Sequence, residues 1–235
     1  MSAALVAELR KHRTPIVYDA IERFGVRPKA EGYTDASIRA LLPELGAFAG
    51  YACTGRIVAA SEPSPDEVSV PWRDVWAYVE RMPGPKVMVS EDLDDPPRGC
   101  AWGDVSASIF TRLGCNAVIT NGAVRDVREV GALGFGLFAS SLIVGHANVR
   151  FVAIDVPVTV GGLAIAPGDL IHADEHGVLI VPKAVPLDAL LDMIARLLRS
   201  EAAVIDYARS SPSFSLDELS ATMDRLNAAG GHHLK

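Results

Sequence analysis

Two short stretches carry the residue types that could do chemistry. One is Gly103-Asp104, which opens GDVSASIFTRLG; the other is Arg125-Asp126 inside NGAVRDVRE, Asn121 to Glu129. Asp104 and Asp126 offer oxygen ligands of the kind that suit a hard divalent cation, Mg2+ or Mn2+. The guanidinium of Arg125 matches a carboxylate as a planar fork. A helix that starts at Asp104 presents unpaired backbone N–H groups, which favour a second oxyanion. No lysine sits near NGAVRD, which disfavours a Schiff-base mechanism.

These residues need elements to bring them together. KVMVS (86–90) and NAVIT (116–120) read as short buried strands. Between them GDVSASIFTRLG reads as a helix with Asp104 as N-cap, Gly114 as stop, and Val105, Ile109 and Leu113 on one face. RDVREVGALG reads as a second short helix and FGLFAS as the next strand. This alternation predicts parallel strands with helical crossovers, whose following loops reach one edge of the sheet. If the two strands are neighbours, Asp104, Arg125 and Asp126 meet at that edge, where open α/β sheets bind ligands. The plainer alternative is that Asp104 is a cap and that Asp126 and Glu129 complement a helix dipole. In that reading Arg125 and Glu129 form a surface pair four residues apart, and Asn121-Gly122 is a turn.

A third carboxylate stands on a long helix predicted over about 184–208. Its apolar stripe runs through Leu187, Leu190, Leu191, Ile194, Leu197, Leu198 and Ile205, and Glu201 falls near the stripe's centre. A glutamate there is costly unless it meets an ion, water or a polar site. Either the stripe ends near Leu198 and Glu201 is solvated, or Glu201 points into a site in this subunit or a neighbour.

Elsewhere, TPIVYDAIERFG predicts a helix with Thr14 as cap. Residues 61–71 read as a Pro/Ser-rich loop and 72–82 as a helix. The run from VPVTV to VLIVP reads as successive hairpins, and SLDELSATMDRLNAA as a C-terminal helix. His172 and His176 in HADEH pose the question of zinc; their place between alternating strands favours a turn. GALGFG, Gly131 to Gly136, reads as a helix stop before a strand rather than a nucleotide loop. His232 and His233 fall in a tail.

A net charge of -7 without a basic run argues against a nucleic-acid partner. Three cysteines without C-x-x-C spacing fit a reducing compartment. The N-terminus lacks a signal-peptide pattern, and no apolar run approaches the roughly 20 residues of a membrane span. The expectation is a cytoplasmic protein with no membrane partner.

With Asp104, twenty intervening residues and then Arg125-Asp126, the sequence resembles the family of 4-hydroxy-4-methyl-2-oxoglutarate aldolases and regulators of ribonuclease activity A. TPIVYDAIERFG, NGAVRD, PVTVGGLAIAPGDLIHADEHGVLIVP and RSEAAV carry the likeness, over roughly 14–208. The resemblance implies an α/β fold of the swivelling β/β/α type. It would be a single domain over 1–235 with a central mixed sheet flanked by helices and a helical extension over about 209–235. It also implies a homotrimer or a dimer of trimers, and a divalent-metal-dependent cleavage of a 4-hydroxy-2-oxo acid to pyruvate, with oxaloacetate decarboxylation. Carried over, Asp126 is the metal ligand and Asp104 holds a water on it. Arg125 binds the keto acid, and the amides of Gly103, Asp104, Val105 and Ser106 hold its carboxylate. Glu201 is a carboxylate supplied by a neighbouring subunit. Glu129, three residues after Asp126, matches the aldolase branch rather than the non-catalytic, protein-binding regulators. Two departures stand out: residues 71–82 lack the histidine of the aldolases, and Asn121 stands where Asp is common.

Overall fold

The computed structural model describes residues 3–64, 67–210 and 213–228; the tail with His232 and His233 lies outside the described residues. In chain order the elements are α1 (Ala3–Leu9), α2 (Thr14–Glu22), β1 (Arg39–Ala40), β2 (Phe48–Val58), α3 (Trp72–Arg81), β3 (Lys86–Asp92), α4 (Asp104–Arg112), β4 (Cys115–Thr120), β5 (Ala123–Val124), α5 (Val127–Ala132), β6 (Gly136–Ala139), β7 (Ser141–Leu142), β8 (Arg150–Ile154), β9 (Val158–Val160), β10 (Leu163–Ile165), β11 (Leu170–Asp174), β12 (Gly177–Val181), α6 (Leu187–Ser210) and α7 (Leu216–Ala228). They fall into two compact units, residues 1–14 with 31–183 and residues 15–30 with 184–235.

The first unit is a mixed α/β layer structure built on one sheet. Its strand order is β1-β6-β4-β3-β2-β11-β12, with β8 paired to the second half of β2. Strands β2, β3, β4 and β6 are mutually parallel, and α3, α4 and α5 make the crossovers. The expected adjacency of β3 and β4 is therefore present. Both faces of the parallel strands are covered, which is why they read as unbroken apolar runs. Side chains alternate across the sheet: Met88 and Val118 join Trp102, Phe110 and Phe151 on one face. Val87, Val89 and Ile119 join Phe48, Phe138 and Ile171 on the other. Each such fully buried large side chain contributes about 1.5–3 kcal/mol.

Of the successive hairpins expected, β9–β10 and β11–β12 form, whereas β10 and β11 lie in different sheets because β11 pairs with β2, so the turn between them closes no hairpin. The first turns on Gly161-Gly162, both at positive φ (54° and 71°), the backbone a two-residue hairpin turn requires. GALGFG is a helix stop at Gly134 (φ 69°) followed by β6, as read.

Two expectations about α4 need correction. Its N-cap is Gly103, and Asp104 is the first helical residue. The buried face is Ala107 and Phe110, whereas Val105 is 67% exposed. The ring of Trp102 meets Phe110 edge-on at 5.0 Å and draws that face inward.

The second unit contains α2 from Pro15, α6 and α7. Leu187, Leu190, Ile194 and Leu197 of α6 are buried, while Leu198 and Ile205 are each 44% exposed. The covered stripe thus ends at Leu197, and Glu201, one turn on, is half-buried. Beyond it Tyr207 stacks on Phe214 at 5.6 Å.

Candidate active site

The C-terminal ends of β3 and β4 are locked to each other before the site begins. Asn121 accepts from the Asp92 backbone N–H (2.7 Å) and donates through Nδ2 to the Asp92 carbonyl (2.8 Å). A carboxylate could not make the second bond. Asn121 is thus a clamp as well as part of a turn. The chain then returns through Gly122, which lies against the Asp92 side chain.

Trp102 anchors the other arm. Its indole N–H donates to Ser90 Oγ (2.8 Å) inside β3, and its carbonyl accepts from the Arg125 N–H (3.0 Å). Gly103 is thereby laid beside Arg125 and Asp126. A Cβ on Gly103 would collide with Asp126 Oδ2 and stand 3.3 Å from Arg125 Cγ. The next residue, Asp104, donates its backbone N–H to Asp126 Oδ2 at 3.3 Å.

Asp126 occupies the N-cap position of α5 but makes no side-chain capping bond. Its backbone is left-handed (φ 56°, ψ 39°), a strained state for a non-glycine residue that clusters at functional sites. This conformation sends the carboxylate toward Gly103 and Asp104 instead of back to its own helix. Arg125 Nε stands 3.4 Å from Asp126 Oδ2, with side chains 36% and 33% exposed, so the pair is accessible. Arg125, then, is paired to Asp126. Long contacts at 3.3 and 3.4 Å leave the carboxylate oxygens open to a harder partner, which fits a divalent cation.

Gly103, Asp104, Ser106 and Arg125 line a cavity of about 170 Å3, with Val105 also on its wall. Its volume corresponds to roughly six waters, room for a small organic acid. Asp104 Oδ1 accepts from the Val105 N–H (2.7 Å), and Ser106 Oγ donates to the Ala101 carbonyl (2.7 Å), so both side chains are fixed. Arg125 also borders a second, shallower hollow of about 430 Å3 with Asp126, Glu129 and Val144. The structure thus brings together Gly103, Asp104, Val105, Ser106, Arg125 and Asp126. Glu129 is exposed and lies in the second hollow; Glu201 belongs to the second unit.

Sequence reading missed five residues of the cavity: Trp72, Cys100, Ala101, His146 and Val149. The segment 71–82, which has no histidine, contributes Trp72 to the wall. Burial pushes the Cys100 thiol up, with Arg125 opposing, so it stays protonated.

Other titratable groups have structural duties. His172 is buried, and burial pulls its pKa down to about 4 against the opposing charge of Asp174. Asp174, Glu175 and His176 lie close enough to share an ion, and among the described residues they form the one group of three that does. The oxygens of Asp174 are already taken by the N–H groups of His176 (2.9 Å) and Thr14 (2.8 Å), which hold its carboxyl below the usual range despite burial. Lys86 is buried at the start of β3, at the other end of the strand from Asp92, and donates to the Val79 and Leu113 carbonyls (2.7 and 2.8 Å). It is engaged at the helix ends.

The profile described as RraA-like, Aldolase/RraA, matches residues 14–180. The chain belongs to the RraA-like family. It is 35% identical over 108 residues, 46% of its own length, to a Halalkalibacterium halodurans protein provisionally named 4-hydroxy-4-methyl-2-oxoglutarate aldolase. That match covers 50% of the relative, so the chain spans about half the length of the curated protein it resembles. Among solved structures, this chain aligns with a Pseudomonas syringae pv. tomato protein at TM-score 0.73 and 20% identity, covering 94% of this chain and 95% of that one. Streptomyces coelicolor RraAS2, described as an unusual member of the RraA family of RNase ES inhibitors, aligns at TM-score 0.64 and 23% identity. That alignment covers 90% and 98% of the two chains. At these identities the structural likeness concerns the RraA-like fold. No helix among the described residues is long and apolar enough to cross a membrane.

Proposed function

We propose that this chain is a divalent-metal-dependent aldolase that cleaves a 4-hydroxy-2-oxo acid to pyruvate and also decarboxylates oxaloacetate. The observation that carries the proposal is the left-handed Asp126, whose carboxylate makes no capping bond to its own helix and turns to Gly103 and Asp104. A cap or dipole role would have held it at α5. The provisional name of the relative and the spacing of Asp104 and Arg125-Asp126 support the same reading.

Asp126 holds Mg2+ or Mn2+, which when bound supplies Lewis-acid polarisation of the 2-oxo group. The amides of Gly103, Asp104, Val105 and Ser106 receive the substrate's C1 carboxylate at the start of α4, those of Asp104 and Val105 exchanging their bonds to Asp126 Oδ2 and Asp104 Oδ1 for it. Arg125 aims a fixed cationic fork at the keto oxygen, where negative charge grows as the C–C bond breaks. Asp104, and Glu201 from a neighbouring copy in a homotrimer or dimer of trimers, complete the set of carboxylates. Decarboxylation of oxaloacetate yields the same enolate, so the same donors serve both reactions.

Asp126→Asn keeps a residue tolerant of left-handed backbone while removing the charge. It should abolish metal binding by calorimetry and lower pyruvate release by about 100-fold or more. Arg125→Lys retains a charge but not the fork, and should lose nearly as much as Arg125→Ala. Full activity in protein stripped with EDTA would refute the metal-dependent reading. Absence of turnover with any metal would favour a protein-binding role.

A further inference from the structure

The cavity contains an imidazole that the sequence reading did not assign. His146 lines it together with Asp104, Cys100 and Arg125. Its segment is fixed from three directions. The Val149 N–H closes a turn onto the His146 carbonyl (3.1 Å), and the Arg125 guanidinium reaches the Val144 carbonyl at 3.5 Å. Gly99 packs directly on the His146 carbonyl, where any Cβ would collide. Ala147 takes a left-handed φ of 47°, a strained turn for a residue with a Cβ.

The ring's tautomer follows from its contact. Nδ1 lies 3.0 Å from the Ala147 carbonyl oxygen. A carbonyl has no proton to give, so Nδ1 carries the hydrogen and the lone pair of the neutral ring is on Nε2. The other titratable groups of the cavity are less suited to accept a proton. Cys100 is a protonated thiol, a guanidinium such as that of Arg125 has no acceptor, and Asp104 accepts the Val105 N–H through Oδ1, a carboxylate being in any case a weaker base than imidazole. Gly99 abuts His146 and Gly103 abuts Asp126.

We propose that His146 is the general base for the C4 hydroxyl in the aldol cleavage. The assignment rests on the aldolase reading of the site. Nε2 takes the hydroxyl proton, and the O–H electron pair becomes the second C4–O bond. The C3–C4 bond breaks, and its pair forms the enolate across C2 and C3. Solvent then protonates C3, while the imidazolium returns its proton to solvent, so no oxidant or reductant is needed. Decarboxylation of oxaloacetate removes no hydroxyl proton and does not require this base.

The test uses the full chain loaded with Mg2+, as unsubstituted protein, His146→Ala and His146→Gln. Pyruvate release is measured from 4-hydroxy-4-methyl-2-oxoglutarate and from oxaloacetate. The expected result is a loss of about 100-fold or more in the first reaction, with the second within about twofold. Equal losses in both reactions, or no loss in either, overturn the assignment. If the unsubstituted protein runs neither reaction, the aldolase reading fails and the assignment falls with it. If it runs both but the variants do not split them, only the assignment fails. Nitrogen-15 NMR of the ring gives a readout independent of turnover: the signal lost in His146→Ala should show the Nδ1–H tautomer, and an Nε2–H tautomer overturns the role.

Discussion

Gly103 and Asp126 compete for one space: a methyl group on Gly103 would overlap Asp126 Oδ2 and crowd Arg125 Cγ at 3.3 Å. The backbone of Gly103 is extended (φ -147°), so any residue could adopt it, and the requirement for glycine is spatial. Gly103→Ala should therefore fold, with a stability loss of about 1–3 kcal/mol from overpacking. It should lose metal affinity and about 100-fold in pyruvate release, since a displacement near 1 Å is enough for that. Calorimetric metal titration beside thermal unfolding separates the two effects. Unchanged metal binding would show that Asp126 does not need this space.

Asp92 gives a pH signature at the strand end that supports the site. It is 3% exposed, Oδ2 has no hydrogen-bond partner among the described residues, and burial pushes its pKa up to about 6. Between about pH 4 and 6 the folded chain holds a proton that the unfolded chain has released, so this group's contribution to stability falls as pH rises through that window. Asp92→Asn keeps an acceptor for the Asp94 N–H (3.0 Å) and removes the buried charge. It should gain about 1–3 kcal/mol relative to the unsubstituted chain above pH 6, with the gain shrinking toward pH 4. Denaturant midpoints at pH 4.5 and 7.5 check this; a difference that does not vary with pH counts against it.

What the sequence made legible was local. Apolar runs bounded by glycine marked β3, β4 and β6, and the step from Asp104 to Arg125-Asp126 fell at adjacent strand ends because the crossover helix fits between them. The face of α4 was not legible, because Val105, Ile109 and Leu113 form as regular a stripe as Ala107 and Phe110 do. The choice is made by Trp102, which meets Phe110 and lies outside the helix. Asn121 looked like half of a turn because its partner, Asp92, is 29 residues away. His146 was invisible for the same reason: its place depends on Gly99 and Arg125, both distant in sequence. Local periodicity reports the element a residue belongs to, whereas cavities are assembled from contacts between elements.

Lys86 offers a test of the chemistry that the site excludes. Its ammonium group donates to the last carbonyls of α3 and to Leu113 after α4, at 2.7 and 2.8 Å. Lys86→Met removes these bonds, leaving the Val79 carbonyl only the Met82 N–H, and should cost about 1–3 kcal/mol. Pyruvate release per folded molecule should not change, and borohydride reduction in the presence of pyruvate should attach nothing to this lysine. A trapped adduct at Lys86 would contradict both the structural role and the metal-dependent mechanism.

The pair formed by Thr14 and His172 makes the opposite pH prediction to Asp92. His172 Nε2 faces the Leu9 carbonyl at 3.3 Å, so it carries the proton, and Nδ1 accepts from the Thr14 hydroxyl at 2.9 Å. Burial holds this ring neutral, with its pKa near 4 in the folded chain against about 6.5 when unfolded. Between those values the unfolded chain binds a proton that the folded chain refuses, so the stabilising contribution present above pH 6.5 is lost as pH falls toward 4. Thr14→Val keeps the shape and leaves Nδ1 without its donor, costing about 1–3 kcal/mol at pH 7.5. Because Asp92 stabilises on acidification and His172 destabilises, stability between pH 4 and 6.5 should be flatter than either group alone would give. His172→Gln should remove the His172 limb and expose the rise on acidification due to Asp92. A pH profile unchanged by that substitution would mean that His172 is not the group opposing it.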